Sequence, residues 1–204
     1  MSDNNYAKVV YKGALMIPIT LTSPPSTLLV PIDNPHCTIL LGRMLKPFKE
    51  THGVSNAVIK DMMKKVAENY PAPIPQLGSV VQLACRGNEY VAPYEFKSTA
   101  FLEVLNQAEM QEYLDRICDV LEIARHERYF HVSIANDTGK PTDSIGDTNK
   151  DDVNRTTPPA SLNAECVVID TVDTSESLGW ESAMDNGWVH KMDNGCIHKI
   201  GDDE

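Results

Sequence analysis

Two short segments of this sequence share one pattern: a histidine, any residue, a serine or threonine, and then an aliphatic residue. One segment begins at His36 and the other at His131. Because successive side chains of a strand point to opposite faces, the histidine and the hydroxyl of each segment share one face, and apolar residues occupy the other. The pattern therefore predicts two strands, each with a buried face and a polar face. The four polar residues are His36, Thr38, His131 and Ser133.

The hydrophobic pattern around these segments predicts an α+β chain of two similar halves, each with one helix against strands. Apolar residues recur at helical spacing in 55–70, and three prolines follow that helix. A second helix is expected after Asn106, with Glu109 in the capping-box position. Extended segments are expected at 7–21, 38–41, 79–85, 90–96, 129–135 and 164–172, the third and fourth as a hairpin.

Residues 1–175 are predicted to form one domain, and residues 176–204 a C-terminal tail. Within the domain, residues 136–163 are polar and contain Gly, Pro, Asp and Thr, which indicates a long loop or insertion. In the tail, an eight-residue unit that begins at Met184 is repeated at Met192, and each copy contains Asn-Gly. Asn-Gly favours a hairpin turn, so the tail is expected to form a small β-meander.

The charge of the chain argues against one class of partner. Its 204 residues include 18 Lys and Arg and 29 Asp and Glu, for a net charge of -11. Proteins that bind long DNA or RNA gain affinity by neutralising phosphates with basic residues, so this balance argues against them. Residues 1–100 carry 10 basic and 7 acidic groups, a net +3, whereas residues 101–204 carry 8 and 22, a net -14. A small phosphorylated ligand is therefore expected to contact the first half.

The remaining composition predicts a cytoplasmic protein without a cofactor. The five cysteines include no C-x-x-C pair and are interpreted as small apolar fillers. The N-terminus lacks the basic start and apolar stretch of a signal peptide, and no run approaches the ~20 apolar residues that span a bilayer. Duplication of the eight-residue unit explains the recurrence of His190 and His198, so no metal site is predicted there.

The paired motifs resemble those of the 2H phosphoesterase superfamily, the LigT-like proteins, over most of residues 6–173. In that family two pseudo-symmetric lobes place their motif strands on opposite walls of a central cleft. The resemblance implies a bilobal fold with two mostly antiparallel sheets lining the cleft and helices outside. It also implies cleavage of cyclic phosphates or nucleotide phosphodiesters without a metal.

A narrower resemblance concerns residues 131–146, HVSIANDTGKPTDSIG. This run looks like phage-encoded members of the superfamily, among them the anti-CBASS phosphodiesterases that destroy cyclic di- and trinucleotide signals. It implies a cyclic oligonucleotide substrate, a role in immune evasion and a location in the host cytoplasm.

The chemistry of the motif residues agrees with that reaction. Cleavage of a phosphodiester needs one group that accepts a proton from the nucleophile and one that protonates the leaving oxygen, and histidine performs either role near neutral pH. Thr38 and Ser133 are expected to bind the non-bridging phosphate oxygens. The sequence does not assign base and acid between His36 and His131. Since the histidines make both proton transfers, cleavage is expected to survive chelators.

Three further residues are predicted to contact substrate. Tyr129 shares the expected face of His131, and Tyr11 and Lys12 lie in the more basic half. Two alternatives to cyclic-nucleotide cleavage stay open. One is a 2′,3′-cyclic phosphodiesterase acting on RNA or tRNA ends, and the other is a non-catalytic protein that sequesters cyclic nucleotides. The sequence makes no prediction of oligomeric state.

Overall fold

The computed structural model describes residues 5–23, 27–86, 96–144, 154–156 and 167–173. This part of the chain contains three α-helices: α1 (Lys46–His52), α2 (Asn56–Asn69) and α3 (Gln107–Val120). Its strands are β1 (Asn5–Ala7), β2 (Val10–Tyr11), β3 (Ala14–Pro18), β4 (Thr20–Leu21), β5 (Val30–Pro31), β6 (His36–Leu41), β7 (Leu77–Arg86), β8 (Phe96–Val104), β9 (His131–Asn136), β10 (Asn154–Thr156), β11 (Val167–Val168) and β12 (Thr171–Asp173).

Eight of these strands form one sheet. Seven follow the order β10-β7-β8-β9-β6-β3-β2, and β5 pairs with the end of β9. The pairings are antiparallel, as are those of the two-stranded sheets β1-β12 and β4-β11. The expectation of an α+β chain with antiparallel sheets is confirmed. No described helix has both the length and the apolar composition that crossing a membrane requires.

The two motif strands, β6 and β9, are neighbours in this sheet. They pair at Cys37 and Val132, and this pair joins the group β10-β7-β8-β9 to the group β6-β3-β2. Within the described residues, the two motif strands therefore belong to one hydrogen-bonded sheet. The edges of β6 and β9 would otherwise present backbone groups without partners, and pairing satisfies part of them.

One face of the sheet is buried in a hydrophobic core. Cys37, Ile39, Val132 and Ile134 are each 0% exposed, and they alternate with the partly exposed motif residues. The helices supply the other side of this core. Their buried residues are Ile59, Met62, Met63 and Val66 of α2, and Met110, Tyr113, Leu114, Ile117 and Cys118 of α3.

The predicted helix at 55–70 is confirmed as α2. Ser55 caps it, because its hydroxyl oxygen accepts a hydrogen bond of 3.3 Å from the backbone N–H of Val58. The helix ends at Asn69, before Pro71. A proline at that point lacks the N–H that would continue the helix.

The second helix begins where it was predicted, but its cap differs. Asn106 is the N-cap residue of α3 and makes no side-chain capping bond. Its side-chain oxygen instead accepts a hydrogen bond of 2.8 Å from the N–H of Gln76, and its Nδ2 donates to Glu109 at 2.7 Å. The capping-box prediction is therefore wrong, because the amide of Asn106 is used to attach α3 to the segment before β7.

Strand β8 extends beyond the predicted hairpin. Residues 99–102 are all buried, so they lack the polar and apolar alternation that would have indicated a strand. A β-bulge between Ala100 and Phe101 interrupts the register here. Most of the predicted strand 90–96 lies outside the described residues, as do the tail 176–204 and most of the loop 136–163.

The packing of α3 predicts a large loss of stability on truncation of its buried stripe. Leu114 is fully buried, so Leu114→Ala should lower the free energy of unfolding by about 2–5 kcal/mol through lost burial and a residual cavity. Leu28 is 95% exposed, and Leu28→Ala should change that free energy by less than about 0.5 kcal/mol. Urea denaturation followed by circular dichroism measures both. Equal effects would contradict the described core.

Candidate active site

The four motif side chains lie together on the face of the sheet opposite the core. The side chains of His36 and Thr38 flank Cys37, and those of His131 and Ser133 flank Val132; all four are partly exposed. β6 and β9 are antiparallel and their one described pair is Cys37 with Val132, so from that pair position 36 lies towards position 133 and position 38 towards position 131. Each imidazole thus has one hydroxyl on its own strand and one across from it.

Both imidazoles are oriented by the same hydrogen bond. Nδ1 of His36 lies 3.0 Å from the carbonyl oxygen of Asn34, and Nδ1 of His131 lies 3.1 Å from the carbonyl oxygen of Tyr129. A carbonyl oxygen only accepts, so Nδ1 of each ring carries the hydrogen. Nε2 is therefore a proton acceptor in the neutral ring and a donor in the protonated ring.

The chain reaches this geometry at His36 through an unusual backbone conformation. Asn34 has a φ of 56°, in the left-handed region, where asparagine is more common than other side chains apart from glycine. This turn precedes Pro35 and brings the carbonyl of Asn34 to the ring of His36. The polar face of β6 therefore begins with a histidine whose ring is already oriented.

His131 lies against an aromatic and acidic group. Its ring centroid is 6.1 Å from that of Tyr129, with 20° between the planes, and 5.1 Å from that of Phe101. Glu103 is across from His131 in the β8–β9 pairing, and its Oε1 accepts a hydrogen bond of 3.1 Å from the hydroxyl of Tyr129. Sequence analysis missed Phe101 and Glu103, because both lie in the unpredicted part of β8.

On the neighbouring strand β3, the residues that pair with the motif residues of β6 are apolar. In the β3–β6 pairing, Pro18 lies across from His36 and Met16 lies across from Thr38. The two histidines therefore share the same orienting bond but differ in the side chains that surround them.

Arg128 connects the segment before β9 to strand β6. Its Nε donates a hydrogen bond of 3.1 Å to the carbonyl oxygen of Thr38. Burial raises the pKa of the Cys37 thiol to about 12, and the charge of Arg128 partly opposes that rise. Cys37 is thus a neutral thiol near neutral pH and is not a nucleophile. No sequence signal identified Arg128.

The structure brings one of the three predicted substrate contacts to the motif residues. Tyr129 stacks on His131, as described above. Tyr11 pairs with the buried Leu15 and packs against the core, so it is not on the face of the histidines. Lys12 is exposed at the turn between β2 and β3. Binding of substrate by these three residues stays a prediction.

The described residues contain no group of three or more His, Cys, Asp or Glu side chains suited to a metal ion. Comparison of the chain with protein-family models, curated proteins and solved structures finds no match.

The orienting bonds predict the tautomer of both histidines. In a flexible histidine the neutral ring favours hydrogen on Nε2, whereas here the carbonyl oxygens of Asn34 and Tyr129 require it on Nδ1. Long-range ¹H–¹⁵N spectra at alkaline pH should therefore show the Nδ1–H tautomer for both His36 and His131. An Nε2–H tautomer at either residue would contradict the described geometry.

Proposed function

We propose that this chain is a metal-independent phosphodiesterase that cleaves cyclic nucleotides with His36 and His131, on a bilobal fold of the 2H phosphoesterase type. The observation that carries the proposal is the matched pair of Nδ1 hydrogen bonds, which makes Nε2 the atom of each ring that accepts or donates a proton. A strand histidine with a purely structural role has no need for this duplication.

The spacing of the four side chains supports the same chemistry. His36 and His131 each lie one residue from the Cys37–Val132 pair, on adjacent antiparallel strands and on the same face of the sheet. A phosphate between the two rings can receive hydrogen bonds from the hydroxyls of Thr38 and Ser133. In this geometry the nucleophile and the leaving oxygen lie on opposite sides of phosphorus, each next to an imidazole.

One feature supports the 2H phosphoesterase resemblance. Each motif strand belongs to a different group of strands, and the groups join at one position, Cys37 with Val132. The cyclic di- or trinucleotide substrate, and with it a phage-encoded role in immune evasion, follows from the narrower resemblance of residues 131–146.

Loss of either imidazole should abolish most of the activity. His36→Ala and His131→Ala each remove one proton transfer, worth about 10²–10⁴-fold in rate. Thr38→Ala and Ser133→Ala should cost less, since each removes a phosphate hydrogen bond but no proton carrier. Initial rates with a cyclic dinucleotide in the presence of EDTA, measured by chromatography, test all four variants.

The matched control is His198→Ala, a histidine of the repeated tail that lies outside the described residues. It should cleave at the wild-type rate. Full activity in the double variant His36→Ala/His131→Ala, or loss of wild-type activity in EDTA, would refute the two-histidine mechanism.

Substrate choice is tested with a panel of cyclic dinucleotides, cyclic trinucleotides and RNA ends that carry a 2′,3′-cyclic phosphate. The proposal predicts cleavage of a cyclic oligonucleotide at a higher kcat/KM than any RNA end. Preference for RNA ends would support the RNA-processing alternative. Tight binding of a cyclic oligonucleotide by calorimetry without any cleavage would support sequestration.

A further inference from the structure

The two histidines of the proposed site differ in their electrostatic surroundings. Glu103 lies directly across from His131, and Tyr129 both stacks on that histidine and donates to the Glu103 carboxylate. Across β3, the residue that faces His36 is Pro18, which carries no charge. A carboxylate is therefore placed beside one imidazole, and an apolar side chain beside the other.

We propose that Glu103 is a positioning residue that favours the protonated form of His131 and thereby makes His131 the general acid and His36 the general base. This inference rests on the proposed two-histidine phosphodiesterase. Directly opposed residues of antiparallel strands have Cβ atoms about 4.5–5.5 Å apart, a distance at which a carboxylate stabilises a cationic neighbour. The Tyr129 hydroxyl holds the carboxylate of Glu103 on the side of the sheet that His131 occupies.

The other charged groups near His131 act less directly. Arg128 brings a positive charge to this region, which opposes protonation. Its Nε, however, is bonded to the carbonyl of Thr38, and its charge acts on Cys37 on the buried face. Glu103 lies on the same face as the His131 ring. The charged or titratable groups that the pairings and contacts above place near His131 include Glu103 from β8, His36 from β6, and Arg128 and Tyr129 from the segment before β9.

The assignment gives one balanced step. Nε2 of neutral His36 takes the proton of the nucleophilic hydroxyl or water, and the oxygen of that group forms a bond to phosphorus. The bond between phosphorus and the leaving oxygen breaks, and its electron pair stays on that oxygen. Nε2–H of protonated His131 delivers a proton to the leaving oxygen. The step ends with His36 protonated and His131 neutral, so no co-reactant is required.

The first test measures the titration of His131 without measuring activity. In spectra of protein labelled at histidine, Glu103→Gln should lower the pH at which His131 loses its proton, because the carboxylate no longer stabilises the cation. Glu68→Gln, which replaces an exposed glutamate of α2, is the matched control and should leave that pH unchanged.

The second test separates the acid from the base by the leaving group. Uridine 3′-(4-nitrophenyl phosphate) releases nitrophenolate, which needs no proton, whereas uridylyl-adenosine releases a ribose hydroxyl, which does. His131→Ala should lose about 10²–10⁴-fold on uridylyl-adenosine and less than about 10-fold on the nitrophenyl ester. His36→Ala should lose heavily on both, since the nucleophile still needs a base.

The outcomes distinguish this inference from the proposed function. If the wild-type protein cleaves neither the two uridine probes nor a cyclic oligonucleotide, the proposed function is refuted. A second result is that the wild type cleaves these substrates while the nitrophenyl ester restores the rate of His36→Ala and not that of His131→Ala. That result would overturn the assignment of acid and base but not the proposed function. An unchanged His131 titration in Glu103→Gln would overturn the role of Glu103, whatever the activity.

Discussion

The pairing of Cys37 with Val132 is the contact on which the rest of the arrangement depends. It joins two groups of strands into one sheet, and both side chains are fully buried. Because side chains alternate along a strand, burial of this pair directs the four flanking polar residues to the opposite face. Burial of apolar surface, which stabilises the fold, therefore also assembles the candidate site.

Backbone groups, rather than other side chains, orient the two imidazoles. The carbonyl oxygens of Asn34 and Tyr129 each accept from the Nδ1 of a histidine two residues later in the chain. Their positions are set by the strands and by the left-handed conformation of Asn34. The asymmetry of the site comes instead from a neighbouring strand, since β8 provides Glu103 beside His131 and β3 provides Pro18 beside His36.

Local patterns predicted the two longer helices and the motif strands. The apolar spacing of residues 55–70 identified α2, and the second helix was expected after Asn106, where α3 begins. The prediction of strands failed where every residue of a segment is buried. Residues 99–102 of β8 are all buried, so their sequence contains no alternation that would distinguish a strand from other buried structure.

The sequence by itself determined which side chains of each motif share a face, because that follows from the two-residue period of any strand. It did not determine which strands are neighbours. Backbone hydrogen bonds between strands form between any pair of residues, so the partner and the register depend on how the whole core packs. Tertiary structure therefore decided that His36 lies next to the strand of His131, and that Glu103 lies beside only one of the two histidines.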